Sequence, residues 1–483
     1  MMSWIKNHRG HIRVFLLVCA VRFLLIASVV GMLGSERAVN IFVPGSDSSL
    51  YTRLGKNLAY AHVYSESRQP PYVLEEAVEP LYPLFLAGIF SLGGGVILAA
   101  LLQAILAGLA GVMTYAIARL YLAQRYAFAP AALFAFDPVG VYVSSALFTE
   151  ALFVPLFLAG VYTFLRAYHR ESDSRWMPAG SGVLFGLSAL TRPEVQFLVL
   201  ILVALPIIFF ARRTSWKRIG RNALIFLIGF YLILFPWLIR NQLTYGSLQT
   251  SSIAVHKLYL FDLLYFYAHE NNVSFKEARE AMRARVVAIS PYGNDDPTFV
   301  NAPYLRKVAL DYIQERPLQF GAFYLVKTIP FFLSDGLRYV ASKFDVVDVP
   351  TLNITSLAFK GNFRELTAAL KSKAGLELLL LLVGGAFWLF INVAMLVGVW
   401  VGIKSKNLSL RFGVLLLFLM VLSFALMSGP VSNPRLRSKA APLMYVLAVI
   451  GSVQFFHPRF NRKKPFSDVL EYNQPQVNGV DGK

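Results

Sequence analysis

The chain has 483 residues, 56% of them hydrophobic and only 15% charged, whereas an ordinary soluble domain carries roughly a quarter charged residues, so the bilayer rather than water is its solvent. The net charge of +19 does not point to nucleic acid, because Lys and Arg fall in short patches between apolar runs, as membrane-flanking residues do. A single cysteine, Cys19, excludes an intrachain disulfide.

A spanning helix needs about 20 apolar residues to cross roughly 30 Å of hydrocarbon. The first apolar run, Ile12 to Leu33, meets that length and is longer than a signal-peptide core, so it is expected to be a retained span. A polar loop over 34–80 follows, carrying Pro44-Gly45-Ser46-Asp47-Ser48-Ser49-Leu50-Tyr51 and ending in Glu79-Pro80-Leu81-Tyr82-Pro83. Further apolar segments fall at 81–92, 97–118, 126–143, 148–167, 178–190, 195–210, 222–239, 320–334, 376–402, 409–428 and 441–456. The segments 81–92, 178–190 and 195–210 are short, which marks them as tilted, broken or re-entrant. The expected fold is an all-α polytopic membrane protein with about 11–12 hydrophobic helical segments and an extracytoplasmic region of loops and short helices.

The expected organisation is a transmembrane module over 1–245, an extracytoplasmic and membrane-surface helical segment over 246–375, C-terminal transmembrane helices over 376–458 and a cytoplasmic tail over 459–483. Short helices are expected at Phe275 to Ile289 and Pro303 to Glu315, the second with Tyr304, Val308, Leu310 and Ile313 on one apolar face. The stretch 335–374 has no spanning run and is placed outside, and the polar tail after Phe466 reads as disordered. The patches around Arg9, Arg119, Arg166, Arg175, Lys217, Lys404 and Arg462 belong on the cytoplasmic side. The Asp47 loop, the turn from Asp137 to Glu150, the segment 240–375 and the turn from Pro430 to Pro442 then face outward, provided that 81–92 is not a full crossing.

Within that outer set, Asp47 has two readings: a helix N-cap, or a general base accepting a proton from an attacking hydroxyl or amine. Glu150 opens an apolar run, where an ionised carboxylate needs water, a cation or a helix N-terminus. Asp137, ahead of Pro138, reads as turn-forming. Arg192 interrupts two short apolar runs and suits either a phosphate or a local pair with Glu194, while Arg240 stands at the outer end of a span and calls for an anionic partner. Arg435, Arg437 and Lys439 form an outer cationic turn, fit for phosphate or anionic lipid. Tyr51, Tyr82, Trp237 and Tyr259 could stack on a sugar or belong to an interfacial belt. His62, His256 and His269 read as polar surface residues. No phosphate-binding glycine loop, His-Glu-x-x-His or zinc-type Cys/His cluster occurs, so no cofactor is expected and a divalent metal has no positive support.

The motifs Asp47-x-x-x-Tyr51, Glu79-Pro-Leu-Tyr82-Pro-Leu84, Ala118-Arg-Leu-Tyr121, Glu150-Ala-Leu-Phe153, Gly186-Leu-Ser-Ala-Leu-Thr-Arg-Pro193, Pro236-Trp-Leu-Ile-Arg-Asn241 and Arg435-x-Arg437 follow one another in an order that resembles the polytopic GT-C glycosyltransferases. The branch is the one similar to bacterial protein O-mannosyltransferases and aminoarabinose transferases. The resemblance implies inverting transfer of a sugar from a polyprenyl-phosphate donor to a protein, lipid or glycan acceptor at the outer face of the plasma membrane. It implies that Asp47 is the general base or the acceptor-positioning residue, and that Glu150 places the acceptor or tunes Asp47. Tyr51, Glu79, Tyr82, Arg192, Arg240, Arg435 and Arg437 would bind substrate. The segment 240–375 does not match the pattern. A lipid-linked-sugar flippase, a polysaccharide ligase or polymerase, and a structural membrane subunit are the competing classes; the paired repeats with broken helices that a flippase would show do not occur.

Overall fold

A computed structural model describes residues 2–169, 174–211, 215–347 and 375–456, together with 364 and 368. The expected tail after Phe466 and most of 348–374 therefore lie outside the described residues. Among the described residues, the one sheet-like pairing is an antiparallel bridge between Ser65 and Leu74, and everything else regular is helical. Six helices there are long and apolar enough to cross a membrane, or seven if one bent pair counts as a single span. The chain is a multi-pass all-α membrane protein.

The long helix α1 (Met2–Phe42) runs well past the expected end at Leu33, but at Gly34 a φ of 74° turns the chain, so its last turns form a separate arm. Glycine is what permits that left-handed geometry. The arm packs Ala38 and Phe42 against α2 (Ser46–Lys56) and α3 (Leu81–Ser91) in a cluster with Tyr82 and Phe90. With 11 residues, α3 reaches only about 16 Å, so it does not cross, as the orientation argument requires.

After α4 (Val96–Arg119), the expected segment 126–143 is broken into α5 (Gln124–Phe136) and α6 (Pro138–Ser145), which meet at 60°. Pro138 ends the first piece because it can neither donate a backbone hydrogen bond nor fit beside the preceding turn. Asp137 caps the second, accepting from the Val139 amide at 3.2 Å. The carbonyls freed at the break are taken by Arg22 of α1, which donates to Ala135 O at 3.0 Å and Phe134 O at 3.2 Å while its Nε reaches Ser144 Oγ at 3.1 Å. A guanidinium inside hydrocarbon is expensive, and here it satisfies a backbone that would otherwise be orphaned.

Next come α7 (Glu150–His169), α8 (Trp176–Ala189), α9 (Val195–Phe210) and α10 (Trp216–Tyr245). Helices α8 and α10 touch backbone to backbone, and a Cβ at Gly182 would collide with the Phe226 carbonyl. Small residues at such crossings let membrane helices approach where burial of apolar surface offers no drive.

The region beyond α10 is a helical unit of α11 (Ile253–His256), a wider π turn to Leu263, α12 (Leu264–Asn271), α13 (Phe275–Val287) and α14 (Ala302–Gln314). Ser274 and Glu277 form a capping box at α13. The apolar face of α14 differs from the expected one. Leu305, Val308, Ala309 and Tyr312 are buried against Met282, Val286 and Phe266, whereas Leu310 is exposed, because the face is set by packing on α12 and α13 rather than on a membrane. Tyr259 is wholly buried in this core with its hydroxyl on Asp295, which removes it from the candidate sugar-stacking residues.

The chain closes with α15 (Pro317–Leu333), α16 (Leu337–Ala341), α17 (Gly375–Lys404), α18 (Leu408–Ser428), the one-turn α19 (Pro434–Arg437) and α20 (Ala441–Phe456).

Candidate active site

Four separated stretches converge at one end of the helix bundle: the start of α2, the start of α7, the turn between α8 and α9, and α19. Each contributes a charge. The result is a continuous chain of ion pairs. Arg435 donates from one terminal nitrogen to Asp47 Oδ2 at 2.7 Å and from Nε to Glu150 Oε1 at 3.0 Å. The same Glu150 oxygen lies 3.1 Å from an Arg192 terminal nitrogen, and Arg192 Nε donates to Glu194 Oε1 at 2.8 Å. Lys439 donates to that same Glu194 oxygen. Thr149 joins the chain, accepting from Arg192 at 2.9 Å and donating to Glu150 at 3.3 Å.

Local sequence explains how each group is presented. Gly45, at φ 94°, turns the chain into α2, so the cap reading of Asp47 does not hold: Asp47 lies inside the first turn, and its side chain goes to Arg435. Its side chain is 51% exposed, the most open of the three carboxylates. Glu150 is the first residue of α7, where the positive helix end favours an anion. Asn433 caps α19, accepting from the Leu436 amide at 3.1 Å, with Pro434 at its first position. In the turn that this opens, residues four apart share a face, so Arg435 and Lys439 point together into the site.

Arg437, two positions along, points the other way. It is buried, donates to the Phe331 and Phe332 carbonyls at 3.2 Å, and lies 3.5 Å from the Trp388 ring centre. One of its terminal nitrogens has no hydrogen-bond partner among the described residues. It borders an apolar cavity of about 580 Å³ between α5, α16 and α17, lined by Leu133, Asp137, Gly336 and Trp388. Arg437 therefore does not stand beside Arg435 in the chain of ion pairs, because the helical repeat puts the two on opposite faces.

Arg240 is also outside the chain of ion pairs. It packs on the rings of Trp237, Tyr245 and Tyr64 at 4.6, 5.0 and 5.6 Å and donates to the Glu75 carbonyl at 3.3 Å. It also donates to Asn241 Oδ1 at 2.8 Å and to the Tyr245 hydroxyl at 3.4 Å, and the bond to Glu75 ties the segment 75–79 to the end of α10. Glu79, in that segment, is buried and accepts from Ser251 Oγ. Burial pushes its carboxyl up to about 8, although Ser251 and, at longer range, Arg192 oppose this. At Glu194 burial acts in the same sense, but the charges of Arg192 and Lys439 outweigh it and hold the carboxyl below the usual carboxylate range.

Tyr82 is fully buried, donating to Gln103 Oε1 at 2.7 Å, while Gln103 donates to the Ala146 carbonyl at 2.9 Å. It meets Tyr51 edge to face at 5.3 Å and so supports the α2 wall from behind instead of lining the site. Arg22, Thr149 and the joint hold of Arg192 and Lys439 on Glu194 were not singled out from sequence. Among the described residues, no group of three or more His, Cys, Asp or Glu side chains is arranged to hold a metal ion.

Comparison with known proteins bears on about a third of the chain, which supplies part of this site. Residues 76–239 match the dolichyl-phosphate-mannose-protein mannosyltransferase family. The resemblance to GT-C glycosyltransferases read from the sequence therefore holds. The mannosyltransferase-like segment contains Glu79, Glu150, Arg192 and Glu194, whereas Asp47, Arg240, Arg435 and Lys439 lie outside it. The Archaeoglobus fulgidus oligosaccharyltransferase in its apo form has a similar fold, with a TM-score of 0.50 at 15% identity, over 97% of this chain and 54% of that one. The archaeal oligosaccharyltransferase AglB from the same organism, in complex with an inhibitory peptide and a dolichol-phosphate, gives 0.49 at 16% identity over 97% and 54%. ArnT from Cupriavidus metallidurans bound to undecaprenyl phosphate gives 0.38 at 15% identity over 93% and 80%. The chain spans about half the length of the oligosaccharyltransferases. No curated protein sequence matches it.

Proposed function

We propose that the protein transfers a sugar, with inversion, from a polyprenyl-phosphate-linked donor to an acceptor hydroxyl or amine at the outer face of the cell membrane. The observation that carries this reading is the chain of ion pairs, which gathers three carboxylates and three cations from four separated stretches at one end of a membrane-embedded bundle. Buried charges are costly and collect where a charged substrate is handled. The side of the membrane is supported by the positive-inside rule. Arg119, Arg166, Lys217 and Lys404 all lie at the ends of α4, α7, α10 and α17 away from the site.

In the proposed reaction, Asp47 takes the proton from the acceptor as its oxygen or nitrogen attacks the anomeric carbon. The bond from that carbon to the phosphate oxygen breaks on the opposite face, and its electron pair leaves on the phosphate. The donor is a phosphodiester with one negative charge and the product is a monoester that can hold two. The additional charge on the phosphate is matched by the neutralisation of Asp47, so the site keeps its charge through the step. Arg192 and Arg435 stabilise the charge growing on the leaving oxygen, and no separate acid is needed. Glu150 holds both guanidiniums in register.

Purified protein in vesicles, given radiolabelled undecaprenyl-phosphate sugars and candidate protein, lipid and glycan acceptors, tests the reading. Label should pass to an acceptor with release of undecaprenyl phosphate. Label that crosses the bilayer still joined to its lipid would instead identify a flippase.

A further inference from the structure

The carboxylate of Glu194 differs from the other two in the cluster. Its Oε1 takes both Arg192 Nε and Lys439 Nζ, so a single anionic oxygen bridges two cations. Glu150 is 2% exposed and held by two arginines, Thr149 and its own helix end, but Glu194 is 16% exposed and sits just ahead of the short α9 without making a capping bond. Lys439, by contrast, is 4% exposed, stands over the Phe424 ring at 5.4 Å, and has a charge that needs an anion beside it.

We propose that Arg192 and Lys439 form the seat for a lipid-linked phosphate, and that Glu194 fills this seat as a built-in carboxylate which the phosphate displaces. The inference rests on the donor reading above and deepens it, adding Lys439 as a binding residue and giving Glu194 a role. Charge counting favours the exchange. Asp47, Glu150 and Glu194 balance Arg435, Arg192 and Lys439, so adding a phosphodiester anion without losing a carboxylate would leave the pocket one charge too negative. Removing Glu194 and adding the phosphodiester restores neutrality. A phosphate oxygen can take the place of the bridging carboxylate oxygen between the same two nitrogens. Glu194 also keeps the two cations paired and pointed inward, so the seat is preformed.

The test is binding of undecaprenyl phosphate, without sugar, to the full-length protein in nanodiscs. Removing the competing charge with Glu194→Gln should tighten binding at least fivefold, whereas Lys439→Met should weaken it about tenfold and Lys439→Arg should restore most of the loss. Thermal melts of each variant establish that it is folded. If Glu194→Gln binds no tighter than wild type, or more weakly, Glu194 is a structural clamp and the displacement idea is wrong, while the donor reading stands. If folded wild-type protein does not bind undecaprenyl phosphate at all, the donor reading fails and takes this inference with it.

Discussion

At the scale of single residues, the site is held together by charges drawn from distant parts of the chain. Asp47 in its polar loop, and Glu150, Arg192 and Arg435 beside apolar runs, stand out in sequence, and all four meet within one chain of ion pairs. Arg240 and Arg437 stand out equally in sequence but do not join it, because which face of a turn a side chain takes and which aromatic rings surround it depend on three-dimensional packing. Arg435 is the joint of the chain. Arg435→Gln should destabilise the protein by on the order of 3 kcal/mol, since it leaves Glu150 with one arginine instead of two. The same variant should raise the KM for donor more than tenfold, while Arg435→Lys recovers stability better than binding; both are read from melts and initial rates. Glu79 gives a pH signature. Its carboxyl is raised in the folded protein, to about 8, so the folded state holds a proton that the unfolded chain gives up near pH 4.3. Stability from this group is fully present below that value and is lost as pH rises through about 8. Wild-type melting temperatures should fall over that window, and Glu79→Gln should remove this part of the decline.

At the scale of elements, helix positions followed from apolar run length, and the breaks did not. The run 126–143 reads as one span, and Asp137-Pro138 within it signals a turn, but the 60° bend and its repair by Arg22 require knowing that α1 lies alongside. Arg22 could have been noticed as a lone cation within the first apolar run, which is the kind of residue that marks a polar task inside the membrane. Its removal in Arg22→Met leaves the Phe134 and Ala135 carbonyls without that donor and should cost about 1–3 kcal/mol in detergent unfolding. The bend leads directly into Ala146 to Glu150, so transfer should also fall although Arg22 touches no substrate. Equal transfer by a folded Arg22→Met protein would mean that the bend does not position Glu150.

At the scale of the whole molecule, composition led directly to a polytopic helical protein, and the order of weak motifs to a resemblance to glycosyltransferases that the match over residues 76–239 bears out. In the helical unit beyond α10, α13 and α14 fall where the sequence places short helices, but the buried face of α14 does not follow the sequence reading, since it is set by contacts with α12 and α13. Topology ties the molecule to its proposed role. In a Cys19→Ala background, a cysteine at Ser67 should react with an impermeant thiol reagent from outside, and one at Ser174 only after the membrane is opened. The reverse pattern would put the site on the cytoplasmic face.

The central claim is that Asp47 is the base for sugar transfer. Its most direct test is single-turnover transfer from a radiolabelled polyprenyl-phosphate sugar by wild type and Asp47→Asn, with donor binding measured in parallel. A base of this kind contributes about 10²–10⁴-fold, so the variant should bind donor and transfer at least a hundred times more slowly. Undiminished transfer by folded Asp47→Asn protein would contradict the account.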